Sequence, residues 1–436
     1  MSSGPKKYER WTETELAAIT TRVDLRTIIG KDVKLKREGS NICVGLSPFT
    51  NEKTGSFKVW AANYHCFSSG RHGDLFSWLI FSRGLSFVQA VKEGFILAGL
   101  ENGKLTASTI KETERVTRER DEDAAAREKR MIKYAADIVA KARPWQGSLV
   151  ETYLSARGLL VDDAMRSVVE NLYFHPHLKN RSGEVFRAMV AAVRLNDKVD
   201  APVVGAHVTF LKDDGSWYID TKSGPTRNGK FTRAAKQMYG PVFGRAAQLI
   251  TPTRPLLSNG KLSIGEGIES TLAGWQLTRE SLKGISGGAY WAGLSLGNMT
   301  GAQMRDERGN LLFDRRTKIR GVVVAAPPGL PRGVPIPDLD RPAFLPPEGF
   351  RGSVRILAED DLKDDPKSGV SGTQRAREAY NLACAKFRMA GRAKSCSIAW
   401  PPAGCDMADI LFERAEARAA ELQHSELLAD AVRSRS

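Results

Sequence analysis

Four acidic residues carry the strongest chemical signal in this sequence. In KLSIGEGIESTLAG an apolar run ends in Glu266-Gly267 before a helical pattern begins, and in VRILAEDD a second apolar run ends in Glu359-Asp360-Asp361. Both read as strands that deliver acids to their carboxyl ends, where an open α/β sheet binds its ligands. Gly267 is expected to allow a tight turn and a close approach of ligand to backbone. If the two strands are neighbours, their carboxylates converge at one sheet edge. Clustered carboxylates repel one another unless a cation lies among them. A hard divalent ion such as Mg2+ takes oxygen ligands, usually one or two carboxylates with phosphate and water. That is a metal site for phosphoryl chemistry. The run EDDLKDD by itself reads more readily as a solvated turn; its pairing with the Glu-Gly turn is what favours a site.

The elements that must position these acids belong to a chain of 436 residues, enough for two or three domains. Lysine and arginine outnumber acids by 65 to 50, giving a net charge of +15. That excess points to a polyanionic partner, most simply nucleic acid. No G-x-x-x-x-G-K-[ST] motif occurs, which argues against a P-loop ATPase or helicase in this chain. The opening residues MSSGPKKYERWTETEL lack an apolar core and do not read as a signal peptide, and no apolar run is long enough for a membrane span. Five scattered cysteines suit a reducing cytoplasm and no disulfide framework.

Residues 1–100 read as one compact unit. TETELAAITTRVDLRTIIG is a helix capped by Thr12, with Glu15 three residues on. Short strands follow in DVKLKREG, NICVGL, SFKVW and NYHCF, then two helices broken near Gly84. Residues 101–130 are nearly all charge and alanine and read as a solvated helical linker. Residues 131–255 read as a basic α+β subdomain, 256–412 as strands alternating with helices, and 413–436 as a helical tail. The alternation argues an α/β fold with parallel strands. A Pro-rich stretch, PPGLPRGVPIPDLDRPAFLPPEGF, reads as an ordered loop between them.

GEGIESTLAG together with ILAEDD resembles the Toprim domain shared by DnaG-type primases, topoisomerases and some nucleases, which carries a Glu after one strand and Asp-x-Asp after another. The resemblance assigns Glu266 to the first element. It assigns Glu359 and Asp361 to the second, with a Glu in the motif's first place and Asp360 kept as a candidate. PPAGCDMADIL is similar to a late acidic element of phage and plasmid Toprim proteins and offers Asp406 and Asp409. GAHVTFLKDDGS, AAKQMYGPVFG and SGGAYWAGLSLG look like the primase-like proteins of phages and mobile elements. By analogy with the basic subdomain of DnaG-type primases, Lys236 and Arg233 would contact phosphate.

GLSPFTNEKTGSFKV and YHCFSSGRHGD resemble the zinc ribbon that opens DnaG-type primases, whose pattern is C-P-F-H-x-E-K-T-P-S-F followed by H-C-F-x-C-G-x-x-G-D. Glu52, Lys53, Thr54, Ser56, Phe57, His65, Phe67, Gly70, Gly73 and Asp74 are kept, but the ligand positions hold Ser47, Thr50, Cys66 and Ser69. One thiol is too few for a tetrahedral site, and Cys43, His65 and His72 lack the spacing to replace the others. No zinc is therefore expected. Phe49, Phe57, Trp60, Tyr64 and Phe67 would hold the ribbon instead, leaning on the helices that follow. The retained Lys53 and Arg71 imply a surface that faces nucleic acid. His175 and His177 share a strand but have no third ligand, so a structural role is expected.

The resemblances lie in primase order. They imply an α/β protein: a small zinc-ribbon-like α+β domain, a basic primase-like subdomain and a Toprim domain with a mostly parallel sheet. The implied activity is a cytoplasmic DNA primase that makes short primers on single-stranded DNA from NTPs. Glu266, Glu359, Asp361 and Asp406, with Asp360 nearby as a further catalytic candidate, would hold Mg2+ or Mn2+, Lys236, Arg233, Lys53, Arg71 and Gly267 would contact nucleic acid or nucleotide, and a replicative helicase would come from a separate chain. The rival readings are a nucleic-acid-binding accessory protein without polymerase activity and a Toprim nuclease.

Overall fold

The computed structural model describes residues 11–38, 41–49, 55–66, 71–101, 104–181, 183–195, 201–218, 221–225, 231–251, 260–282, 288–305, 311–313, 317–319, 322–324, 333–360, 371–417 and 421. The chain divides into two compact units, one of residues 1–127 with 304–326 and one of 128–303 with 327–436. The charged stretch after residue 100 forms one helix, Ala107–Ala140, whose residues fall in both units. No helix among the described residues is long and apolar enough to cross a membrane.

The first unit begins with the expected capping box. Thr12 Oγ1 accepts from the Glu15 backbone and the Glu15 side chain accepts from the Thr12 backbone. The single helix expected from there to Gly30 is two, Glu13–Arg22 and Leu25–Asp32, because Asp24 caps the second with its own carboxylate. Five short antiparallel strands follow in sequence order, from Lys36–Glu38 to His72–Gly73. Helices Leu75–Arg83 and Phe87–Leu97 then pack on them, separated at Gly84, whose φ of 64° ends the first in the left-handed region. The core is aromatic. Phe57, Tyr64 and Trp78 lie within 5.4–5.8 Å of one another, and Phe49 sits 4.4 Å from Phe81. Trp60 stands outside that cluster, in the turn where its N–H donates to Asn63 O, and Trp78 from the following helix fills the core instead. Phe67 lies outside the described residues.

The second unit is built on a ten-stranded mixed sheet. Its antiparallel half is Leu172–Lys179, Val185–Arg194, Val203–Leu211, Lys236–Tyr239 and Ala246–Ile250, with the short Arg143–Pro144 at the edge. Four strands run parallel beside it, in the order Ala289–Ala292, Lys261–Gly265, Ser353–Leu357, Ser395–Ala399. Alternate residues of these strands face opposite layers. Leu262, Ile264, Val354 and Ile356 pack with Tyr380 and Phe387 of helix Gly372–Met389, while Leu357, Tyr290 and Ala292 pack with Ile268, Leu272 and Trp275 of helix Ile268–Ser281. A parallel sheet covered on both faces is the expected α/β arrangement. From the Pro-rich loop, Ile336, Phe344 and Phe350 are buried.

Two strands enter this sheet through a glycine contact. Gly352 precedes Ser353–Leu357, and a Cβ placed there would lie 1.9 Å from the carbonyl oxygen of Gly260, which precedes Lys261–Gly265. Neither atom belongs to a flexible side chain, so Gly352→Ala must push the two strands apart. A loss of about 2 kcal/mol or more is expected in urea unfolding; an unchanged midpoint would show that the strands are not fixed by this contact. One expectation about cysteine is corrected. Cys384 and Cys396 are joined as a disulfide between the helix Gly372–Met389 and the edge strand, with Cα atoms 5.6 Å apart. Their spacing of 12 residues carried no signal because the pairing depends on how helix and strand pack.

Candidate active site

The carboxyl ends of the parallel strands bring the acids together as a register. Gly265 lies opposite Leu357, so Glu266 is one residue and Glu359 two residues past the paired ends of neighbouring strands. Glu359 is held from two sides: its backbone N–H donates to Tyr380 Oη at 3.0 Å, and its Oε1 accepts from Gly267 N at 3.4 Å. Asp360 donates its backbone N–H to Cys405 O at 2.9 Å, and its side chain is turned inward, only 7% exposed. Among the described residues its Oδ1 is buried and without a hydrogen-bond partner. A buried carboxylate oxygen left unpaired costs free energy, so this oxygen is suited to a donor or a cation.

Gly267 has a φ of −89°, which suits any residue, and a Cβ there would meet Glu359 Oε1 at an ordinary 3.6 Å. The turn does not demand glycine. Helix Ile268–Ser281 has no side-chain cap at this end, and its N-cap Gly267 N donates to Glu359 Oε1, where the helix dipole favours negative charge.

The late acids arrive on the helix over 407–417. Asp406 accepts from Ala408 N and Asp409 N through Oδ1 and from Ser270 Oγ through Oδ2 at 3.2 Å, while Asp409 Oδ2 accepts from Asp406 N. Asp406 is thus a helix cap tied to the first turn after Gly267. Burial raises its pKa, opposed by the Asp409 backbone N–H.

Lys236 also comes to this edge, and it is paired. Its Nζ donates to Glu269 Oε2 at 3.2 Å, and Tyr153 Oη donates to Glu269 Oε1 at 2.6 Å. Glu269 is 3% exposed. Burial alone would raise its pKa, but the Lys236 charge and the Tyr153 hydroxyl hold it down at about 2. Glu269 raises the Lys236 pKa in turn, against burial and with a further contribution from Glu359. His207, next to this pair, is buried with Nδ1 unpartnered; burial first, then the Lys236 charge, lowers its pKa to about 4, so it is neutral. Arg157 lies close enough for its charge to act on Asp406 and Lys236, with its guanidinium stacked 4.8 Å over Trp217.

Glu269, Tyr153, His207 and Arg157 were missed in the sequence. Only Glu269 left a trace there, as a second acid three residues after Glu266. Asp361 and Lys53 lie outside the described residues, and Arg233 is described by its backbone only, opposite Lys222 in a two-stranded hairpin. His175 is buried, and its Nδ1 accepts from His177 N, a local structural bond.

The acids at this edge offer carboxylate oxygens, a donor type that suits Mg2+ or Mn2+ rather than a softer ion. Among the described residues no three His, Cys, Asp or Glu side chains are grouped to hold an ion by themselves. A Mg2+ site needs only one or two carboxylates when substrate phosphate completes it, and the orphaned Asp360 oxygen fits that demand.

The ribbon does not fit zinc. Cys66 Sγ donates to Ser47 Oγ at 3.1 Å, and Ser47 Oγ also accepts from Phe49 N, so two former ligand positions touch each other in a hydrogen bond. Thr50 and Ser69 lie outside the described residues. His65 and His72 stack at 5.6 Å, and Arg71 lies over the rings of Phe49 and Phe81. A chelator is expected to leave the melting of this ribbon unit unchanged; chelator-dependent melting of that unit would contradict this donor set.

In sequence order, a small ribbon-like unit precedes a mixed α/β sheet with acids at its parallel edge. Residues 11–109 match the sequence model of the CHC2 zinc finger family, and residues 129–249 match a domain of unknown function (DUF7146). A DNA primase of Listeria monocytogenes is 31% identical over 152 residues, 34% of this chain and 24% of that protein. A DNA primase of Geobacillus stearothermophilus is 40% identical over 94 residues, 21% of this chain and 16% of that one. The matched segment thus spans less than a quarter of the length of these primases. A crystal structure of the Aquifex aeolicus primase zinc-binding and RNA polymerase domains matches at a TM-score of 0.32 and 13% identity, over 95% of this chain and 86% of that one; so distant a likeness supports nothing further. Residues 11–109 are thus similar to the CHC2 zinc-finger segment of DNA primases, and Ser47 and Cys66 are hydrogen-bonded to each other within it.

Proposed function

We propose that this protein is a DNA primase-like nucleotidyltransferase that makes short primers on single-stranded DNA. The observation that carries the reading is the carboxylate edge: Glu266 and Glu359 on adjacent parallel strands, with the buried Asp360 oxygen unpaired beside them. With Asp361 and Asp406 these acids would hold Mg2+ or Mn2+ in a Toprim-like site. The bound ion would supply charge neutralisation at the phosphate. The protein's own part is positioning. Tyr380 and Gly267 fix Glu359. The helix end at Gly267 and the cations Lys236, Arg157 and Arg233 would meet the phosphates of template and nucleotide. Lys53 and Arg71 would meet the strand at the ribbon. A net charge of +15 suits that partner.

The setting that follows is a cytoplasmic, phage-, plasmid- or mobile-element-borne system with a helicase on another chain. The test is incorporation of labelled NTPs on a single-stranded template with Mg2+ or Mn2+, with plasmid nicking assayed in parallel. Primers of defined length support the reading; nicking without synthesis would make the protein a nuclease. The ligand positions replaced by Ser47, Thr50 and Ser69 favour one rival, a strand-binding accessory protein, which binding without synthesis would reveal.

A further inference from the structure

Trp400 stands at the same end of the sheet as the acids. It directly follows strand Ser395–Ala399, whose Ala399 lies opposite Leu357 of the strand that leads to Glu359. Proteins seldom leave so large an aromatic residue open, yet Trp400 is 39% exposed. The ring is held in place. Tyr380 packs against it edge to face at 5.7 Å, and the buried Pro401 follows it. The same Tyr380 hydroxyl accepts the Glu359 N–H, so the indole and the site carboxylate are positioned by one phenol. Arg377, three residues before Tyr380 on the helix Gly372–Met389, holds its guanidinium 5.9 Å from the indole centroid and is itself exposed.

A fixed indole with a cation over one of its faces and a carboxylate edge next to it match one ligand chemistry, a nucleobase carrying phosphate. Bases stack on aromatic side chains whatever their sequence, and an arginine beside the ring adds to that attraction. We infer that Trp400 and Arg377 form a stacking platform for a nucleobase at the mouth of the acid edge, with Arg377 placed to meet the attached phosphate. The inference rests on the nucleotidyltransferase reading above and deepens it. Nothing in the ribbon or the acids required an exposed indole at this position. The base belongs either to a DNA strand or to a free nucleotide, and the two sources separate in one experiment.

Binding is measured for the full chain with three probes: a single-stranded oligo-dT, an abasic strand of equal length and charge, and ATP with Mg2+. Trp400→Ala is expected to weaken one base-bearing probe by about fivefold or more, leaving the abasic strand unaffected. The loss falls on oligo-dT if the base comes from the strand and on ATP if it comes from the nucleotide. Trp400→Phe retains most of the affinity, which guards against a variant that merely folds poorly, and Arg377→Ala weakens the same probe. Equal binding of all three probes by Trp400→Ala and the native protein would overturn the platform alone. So would an equal loss on abasic and base-bearing strands. A native protein that binds neither strand nor ATP overturns the platform together with the nucleotidyltransferase reading.

Discussion

Glu266→Gln is expected to lower metal-dependent primer synthesis by about 100-fold or more while the protein stays folded. Glu266 is half-buried at the end of a central parallel strand, where its backbone carbonyl accepts from Leu294 N and anchors the neighbouring strand end. Glutamine keeps that backbone bond and the side-chain volume and removes only the negative charge. Electrostatic groups placed at a reacting phosphate are worth about 10²–10³ in rate when one is removed, and a carboxylate that helps neutralise a cation belongs at the upper end. Glu359→Gln is expected to follow it, since Glu359 extends from the adjacent strand. The measurement is labelled NTP incorporation alongside circular dichroism. Wild-type synthesis by a folded Glu266→Gln protein would remove the acid edge from the mechanism.

How far such a site can be read from sequence depends on the distance over which its parts are joined. Glu266 and Glu359 were legible because each ends its own apolar strand, and strand ends are local patterns. That the two strands are neighbours required the order of the whole parallel half, set by packing on both faces. The helices broken at Gly84 and the cap at Thr12 were legible for the same local reason. Glu269 was not, because its partners Lys236 and Tyr153 lie 33 and 116 residues away. In sequence it is one more acid in a helix's first turn, a position that most often faces water. The grouping of residues 304–326 with the first unit is of the same kind: no composition change marks a segment that leaves one unit to join another.

That hidden ion pair yields the second large effect. Lys236→Met is expected to destabilise the protein by about 2–3 kcal/mol near neutral pH. Removing one partner of a fully buried pair costs about 3–5 kcal/mol because a charge is left buried without compensation. The Lys236 side chain is 44% exposed, so water reaches part of the orphaned site and the lower figure applies. The pH dependence is sharper than the magnitude. In the native protein the Glu269 pKa is depressed from 4.5 to about 2. Its contribution is therefore present above pH 4.5 and is lost as pH falls from there towards 2. Without Lys236, burial is the largest influence left and pushes the Glu269 pKa above its unfolded value. The sign then reverses: the variant is penalised while Glu269 is charged and recovers stability as pH falls and the carboxyl takes up a proton. Urea unfolding at pH 5 and pH 8 separates the two cases. A Lys236→Met protein that gains stability on going from pH 8 to pH 5, and whose loss is mostly relieved by adding Glu269→Gln, establishes the pair. A variant whose stability is the same at both pH values would mean that Lys236 does not compensate Glu269 in solution, and would return it to the role of an unattached phosphate-binding cation.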